Sequence, residues 1–152
     1  MARPVYICGT GIISALGADC AATEARLRQG DSAIRPLDLF PLMQGNPLPV
    51  GQAPLLVLPE EDGEGSADFL PRSHRMALIA AKQALASKEH NEAGASGVPS
   101  AIRPDAIILG TTTGGILTTE ELLREQVWEK ARFRYHGLHS IATCLAQAYQ
   151  CT

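Results

Sequence analysis

Two glycine turns, each placed directly after a short apolar run, are where this 152-residue chain is expected to do chemistry. Residues 105–109 (DAIIL) lead into the turn at 110–115 (GTTTGG), and residues 5–8 (VYIC) lead into the turn at 9–11 (GTG). In α/β enzymes, ligands bind outside the carboxyl ends of strands, where such turns lie. The pattern therefore predicts two walls of one pocket.

Each glycine turn matches a phosphate-binding motif only in part. Gly110 and Gly115 have the spacing of a P-loop, but Ile116 stands where the phosphate-contacting lysine is needed. The turn at 9–11 begins a dinucleotide fingerprint, but Ser14 replaces its third glycine, and no acidic residue follows a second strand at the expected distance. Nucleotide binding is therefore not expected.

The cysteines do not have the spacing of a disulfide framework or of a metal site. Cys8, Cys20, Cys144 and Cys151 include no C-x-x-C pair, and small secreted domains space their cysteines more densely. A reducing, cytoplasmic location is the simplest expectation. Cys144 and Cys151, in the last helical segment, are expected to be structural apolar side chains, because a buried cysteine behaves as a small apolar residue.

The four histidines are expected to be solvated or capping residues. His136 and His139 are spaced to share a helix face, but a metal would need further ligands of suitable type and geometry. His74, near a helix start, and His90, in a polar loop, are expected at the surface. We predict no metal site.

Composition excludes several classes of protein. Apolar residues make up 45% and charged residues 19% of the chain, which is typical of a globular domain. The net charge of -3 argues against nucleic acid as a partner, because non-specific binding to phosphate backbones needs a basic surface. No apolar stretch approaches the length of a membrane span, and the first residues carry no export signal.

The turns must be positioned by the helices and strands around them. A first helix is predicted from an N-cap at Asp19 to about Gln29, where Gly30 ends it. An alanine-rich helix with Pro71 in its first turn includes residues 76–85, and its small side chains allow close packing.

A capping-box pattern at residues 118–121 predicts the start of a third helix that runs to about Trp128, and a fourth helix is predicted near 139–149. The runs at 5–8 and 105–109 are continuously apolar, which is typical of strands buried on both faces.

Irregular chain is predicted where proline and glycine accumulate. Residues 36–66 should be irregular, with a short edge strand near 55–58. Residues 88–104 are expected to form a polar surface connection.

Four separated segments together resemble the N-terminal half of a β-ketoacyl-acyl carrier protein synthase, a condensing enzyme with the thiolase-like fold. They are residues 5–17 (VYICGTGIISALG), 30–36 (GDSAIRP), the alanine helix at 76–85, and the glycine turn at 110–115, in the order that the family has. The resemblance implies an α/β fold of which this chain is half: a mixed sheet covered by helices. Residues 1–152 would form one incomplete domain, with an irregular insertion at 37–70.

The resemblance also implies decarboxylative Claisen condensation of an acyl thioester with malonyl-carrier protein, in fatty-acid or polyketide biosynthesis. A cysteine thiolate takes the acyl group, and two histidines stabilise the oxyanion. In the family these three residues lie beyond the position matching Thr152, so this chain is expected to contain no catalytic residue of that reaction, to need no cofactor and to be inactive alone. Intact relatives are dimers.

The resemblance assigns two binding regions. Thr111, Thr112 and Thr113 would border the acyl pocket, with Thr113 at the position of an apolar gate. Lys130, Arg132 and Arg134 would dock the acidic acyl carrier protein, and a further pair of arginines, Arg72 and Arg75, could join them. Two plainer interpretations stay open: the threonines could satisfy turn backbone groups, and the basic run could be a solvated charged surface.

A second class of function also stays open. A chain-length-factor-like protein has the same fold but no nucleophile, and acts as a non-catalytic subunit of a ketosynthase heterodimer. The residue between Thr-Ala and Ser in the family's nucleophile motif would distinguish the two. A structural remnant that binds nothing is a third possibility.

Overall fold

The computed structural model describes residues 4–40, 48–54, 70–92 and 103–151. Within these ranges the chain forms four α-helices, one 3₁₀-helix and a two-stranded antiparallel sheet. In chain order the elements are α1 (Cys20–Gln29), β1 (Ile34–Pro36), β2 (Pro49–Gly51), α2 (Arg72–Glu92), α3 (Ile116–Arg124), the 3₁₀-helix (Lys130–Tyr135) and α4 (Ser140–Ala148). Helix α4 packs against α2 and against the 3₁₀-helix.

Helix α1 begins and ends where the sequence predicts. The Asp19 carboxylate accepts a hydrogen bond from the Ala22 amide at 2.7 Å, which satisfies one of the unpaired N–H groups of the first turn. Gly30 adopts φ 72° at the other end, and the Asp31 amide then donates to the Arg26 carbonyl at 3.0 Å. Both predicted caps are confirmed.

Helix α2 contains the predicted alanine-rich stretch at 76–85 and begins directly after Pro71. It continues to Glu92, so the surface connection predicted to start at residue 88 is wrong for residues 88–92. The reason is local, since residues 86–92 contain neither glycine nor proline to end the helix. The rest of that predicted connection, up to residue 102, lies outside the described residues.

Helix α3 begins earlier than the predicted capping box. It starts at Ile116, whose amide donates to the Thr113 carbonyl at 3.2 Å, so the glycine turn itself nucleates the helix. Thr119 is then an interior residue, and its hydroxyl donates to the Gly115 carbonyl one turn back at 3.2 Å. The capping-box prediction for 118–121 is wrong for this reason.

Helices α3 and α4 both end at a glutamine in the left-handed region. Gln126 has φ 57° and Gln150 has φ 51°, and each is followed by an amide that donates back to a carbonyl of the last turn. This stop ends α3 at Arg124, before the predicted Trp128. Helix α4 lies within one residue of its predicted bounds at each end.

The segments predicted as buried strands, 5–8 and 105–109, are not strands in the structure. Val5 is 94% exposed and Ile108 is 99% exposed. A strand buried on both faces needs hydrogen-bonded neighbours and covering helices, and the described residues supply none to these segments. Their predicted burial is therefore wrong for the described chain.

The sheet found instead has one strand, β2, inside the region 36–66 that was predicted to be irregular, and the other, β1, at the start of that region. Strand β1 pairs with β2 in antiparallel register, with Ile34 opposite Gly51 and Pro36 opposite Pro49. The edge strand predicted at 55–58 and most of the insertion at 37–70 lie outside the described residues. A thiolase-like mixed sheet stays a prediction.

The N-terminal segment is fixed to α2 through one glutamine. The Gln83 side chain accepts from the Ile12 amide at 3.0 Å and donates to the Ala18 carbonyl at 2.7 Å. Beside it, a Cβ atom on Gly11 would collide with the Ala80 carbonyl, so α2 and this loop approach as closely as the alanine pattern allows. No helix among the described residues is long and apolar enough to cross a membrane.

Candidate functional site

A cavity of about 830 Å³ lies at the second glycine turn, between the start of α2 and α3. Its apolar lining residues are Leu39, Phe40, Leu70, Met76, Leu117 and Leu122. Arginine and glutamate side chains complete the wall. A cavity lined by both apolar and charged side chains suits an amphipathic ligand better than a purely polar one.

Two glycines give this turn its shape. Gly114 has φ 53°, which favours glycine, and both Gly114 and Gly115 are buried. A Cβ atom on Gly115 would collide with the Tyr135 carbonyl oxygen, so the 3₁₀-helix packs directly on the turn backbone. The turn is thus a rigid cavity wall.

Of the three predicted substrate-binding threonines, Thr113 lines the cavity. All three threonines are exposed, and Thr111 and Thr112 are not part of the lining. The structure therefore separates the three residues that the sequence analysis grouped together.

Of the basic residues predicted to dock a partner, some line the cavity and others do not. Arg132 lines the cavity together with Arg72 and Arg75, which come from the start of α2. Lys130 and Arg134 are exposed and lie outside the lining, and the Arg134 guanidinium lies 4.6 Å from the centre of the Tyr135 ring. Three of the five predicted cations therefore share one cavity.

The N-terminal glycine turn is not a second wall of this cavity. Gly11 packs against the middle of α2 at Ala80, whereas the cavity is built on the start of α2 at Arg72 and Ser73. The prediction of two walls of one pocket is wrong, because the two turns contact α2 at different positions along its length.

His74, predicted at the surface, is fully buried, with 0% of its surface exposed. Its Nε2 atom lies 3.0 Å from Ser140 Oγ, and its Nδ1 atom lies 3.3 Å from Ser73 Oγ. The Tyr135 ring packs against it in a T-shaped arrangement, with ring centres 4.8 Å apart. The surface prediction fails because two hydroxyls replace the hydrogen bonds that water would supply.

The hydroxyls around His74 fix its tautomer. Ser140 Oγ lies 2.6 Å from the Gly137 carbonyl and 2.9 Å from the Tyr135 carbonyl, so its one proton is directed to a carbonyl. Its oxygen then accepts from His74 Nε2–H, which leaves Nδ1 unprotonated and facing Ser73. Burial lowers the pKa of His74 from its usual 6.5, and a backbone hydrogen bond with Ser140 opposes part of that shift.

Ser73 and Ser140 were not singled out in the sequence, and His74 was expected at the surface. One signal was present, since His74 lies four residues before Leu78 and seven before Ala81, which places it on one helix face with them. Nothing in the sequence pairs this face with Ser140.

The cysteines are all free thiols. Cys144 is half-buried in α4, and burial raises the pKa of its thiol, which disfavours the reactive thiolate. Cys151, also half-buried, follows the end of α4.

The other three histidines lie in different parts of the chain. His136 ends the 3₁₀-helix, where its Nδ1 atom lies 3.0 Å from Thr119 Oγ1, and His139 is the exposed N-cap residue of α4, so the two do not share one helix. His90 lies within α2 rather than in a loop. The described ranges contain no group of three or more metal-ligating side chains.

Comparisons of the chain with protein-family models, with curated proteins and with solved structures find no match. Its function is therefore inferred from its own residues.

Proposed function

We propose that the chain is the N-terminal half of a β-ketoacyl-acyl carrier protein synthase of fatty-acid or polyketide biosynthesis. In this proposal the chain supplies one wall of an acyl pocket, and later polypeptide supplies the cysteine and the two histidines of the condensation. The motifs at 5–17, 30–36, 76–85 and 110–115 support it by their order and spacing.

The observation that carries the proposal is the position of Thr113 in the lining of a cavity that apolar side chains also line. Met76, Leu117 and Leu122 line the same cavity. Each methylene of an acyl chain that leaves water for such a surface contributes about 0.8 kcal/mol of binding free energy. The extent of the cavity beyond Thr113 would therefore determine which acyl length binds best.

The docking of an acyl carrier protein is part of the same proposal. Arg132, Arg72 and Arg75 line the cavity together with Arg124 and three glutamates, and the arginines would meet an acidic partner that delivers its acyl group. The proposal includes a cytoplasmic location, which four unpaired cysteines support.

The first test is to determine the sequence of the parent gene. Reading the codons that follow Thr152 should reveal a Thr-Ala-Cys-Ser/Ala motif within roughly a dozen residues. The same motif without its cysteine would favour the chain-length-factor-like subunit. An open reading frame that contains neither would contradict both.

The second test uses the chain itself. Calorimetric titration with acyl-pantetheine thioesters from butanoyl to hexadecanoyl should show binding that strengthens with chain length until the cavity is full. Thr113→Ile should move that limit to shorter chains, because the larger isoleucine side chain occupies part of the cavity. Thr111→Ile, in the same turn but outside the cavity, is the matched control and should leave the profile unchanged. An unchanged profile for Thr113→Ile would remove the acyl-pocket assignment.

A further inference from the structure

We propose that Ser73, His74 and Ser140 form a hydrolytic site in which the Ser73 hydroxyl attacks esters or thioesters of apolar carboxylic acids. This activity uses neither the condensation chemistry nor the cysteine proposed above, so it does not depend on the chain being part of a synthase.

The three side chains follow one another in the order that activates a hydroxyl. Ser73 lines the cavity, and its Oγ atom lies 3.3 Å from Nδ1 of His74. Nε2 of His74 lies 3.0 Å from Ser140 Oγ. A nucleophile within reach of a base, with the base oriented by a third group, is the arrangement that serine and cysteine hydrolases share.

The protons in this arrangement are placed for catalysis. Ser140 sends its proton to a backbone carbonyl and accepts from Nε2–H, so the lone pair of His74 faces Ser73. The Ser73 hydroxyl has two acceptors, Nδ1 of His74 and the Gly114 carbonyl oxygen at 3.0 Å. Rotation about the Cβ–Oγ bond turns the hydroxyl hydrogen from the Gly114 carbonyl to Nδ1, so the proton can pass to His74 while the heavy atoms of both side chains keep their positions.

The burial of His74 favours the role of a base. Its neutral form is present at neutral pH, because burial lowers the pKa of the ring. A general base must be unprotonated in the resting enzyme, and one whose pKa lies somewhat below the working pH meets that condition.

The reaction has two steps, acylation of Ser73 and hydrolysis of the acyl ester. Ser73 Oγ attacks the acyl carbonyl while its proton moves to His74 Nδ1; the bond from carbon to the leaving sulfur or oxygen then breaks, and the leaving group takes that proton. The product is an acyl ester of Ser73 and a free thiol or alcohol. Water next attacks this ester with His74 again accepting and returning one proton, which releases the carboxylic acid and restores Ser73.

The surroundings of Ser73 set the substrate class. Met76 and Leu117 supply apolar surface for an acyl chain, and Arg75, two residues from Ser73, supplies positive charge in a cavity that three glutamates also line. Ser73 lies in the first turn of the 21-residue helix α2, where the helix dipole favours negative charge. Both features favour the oxyanion that forms when Ser73 attacks.

A fluorophosphonate probe tests the nucleophile, because it bonds covalently to activated serine hydroxyls. The full chain should gain one adduct by intact mass, and tandem mass spectrometry should place that adduct on Ser73. Ser73→Ala should abolish it. Ser14→Ala, which removes another half-buried hydroxyl that has no histidine beside it, should retain it. An adduct on another residue, or no adduct, would overturn the proposal.

Hydrolysis of p-nitrophenyl butanoate tests the base and its orienting group. His74→Gln should lower kcat/KM by about 10² to 10⁴, the usual contribution of a general base. Ser140 is a positioning residue, so Ser140→Ala should lower kcat with KM unchanged, and Ser140→Thr should restore kcat. Hydrolysis by the unaltered chain should also rise with pH through the lowered pKa of His74 and be level by neutral pH. A rate that does not depend on pH in this range would contradict the role of His74, whether or not the variants fold.

Discussion

Nε2 of His74 lies 3.0 Å from Oγ of Ser140, and this contact joins the first turn of α2 to the first residue of α4 across 66 residues of sequence. Both side chains are buried. The same hydroxyl reaches the Gly137 carbonyl at 2.6 Å, so the chain just before α4 is held in the same network. The packing of α4 on α2 is therefore anchored by a polar contact beside the apolar side chains of Ile141 and Leu145.

We expect Ser140→Ala to reduce the free energy of unfolding by about 1 to 3 kcal/mol, because it leaves the buried Nε2–H of His74 without an acceptor. Urea denaturation followed by far-UV circular dichroism measures the change. Thr143→Ala is the matched control, since Thr143 is an exposed hydroxyl on the same helix that bonds back to the His139 carbonyl. Equal losses in the two variants would show that the contact with His74 adds nothing.

The stability of the fold should fall in mild acid because of His74. Burial lowers the pKa of the folded histidine, so below about pH 6.5 the unfolded chain binds more protons than the folded one. The contribution of His74 is therefore fully present above pH 6.5 and is lost as the pH falls towards the folded pKa. Urea midpoints between about pH 5 and 8 should show this slope. His74→Gln should flatten it, whereas His136→Gln should preserve it. A slope that survives His74→Gln would refute the assignment.

Local signals in the sequence predicted the helices well. Asp19, Gly30 and Pro71 act through contacts with residues a few positions away, so their effect can be deduced without knowledge of the fold. The early start of α3 was missed because it depends on the backbone conformation of Gly114, which residue type alone does not fix.

Burial could not be predicted in the same way, because it depends on partners that are distant in sequence. Val5 and Ile108 lie in runs typical of buried strands, but the described residues give them no neighbours. His74 shows the opposite error: a polar residue is buried because Ser140 meets it from α4. The candidate site could be predicted at Thr113 and Arg132, and not at the residues that surround His74.

Gly115→Ala should be strongly destabilising, whereas Gly110→Ala should be nearly neutral. A Cβ atom on Gly115 would collide with the Tyr135 carbonyl, and such overpacking costs about 1 to 3 kcal/mol. A Cβ atom on Gly110 would meet nothing within 4 Å. Thermal denaturation of the two variants measures the difference. If both variants have the same melting temperature as the unaltered chain, the glycine turn does not pack on the 3₁₀-helix as described.

Gln150→Gly should stabilise the chain by about 1 kcal/mol. Gln150 adopts φ 51° at the end of α4, and a residue with a Cβ atom is strained there, whereas glycine is not. Gln147→Gly, one turn earlier and inside the helix, should instead cost about 1 kcal/mol. Urea midpoints should therefore move in opposite directions. A loss of stability for Gln150→Gly would show that α4 does not end in this conformation.

Arg132→Glu should weaken the affinity for an octanoyl-acyl carrier protein about threefold to tenfold at low ionic strength, because it reverses one charge among the four arginines and three glutamates that line the cavity. The effect should shrink as salt is added. Arg28→Glu is the control, since Arg28 lies on α1, is paired with Glu24 at 2.6 Å and does not line the cavity. Because the two substitutions change the net charge equally, equal losses would indicate a general effect of charge. Unchanged affinity for Arg132→Glu would remove this residue from the proposed docking surface.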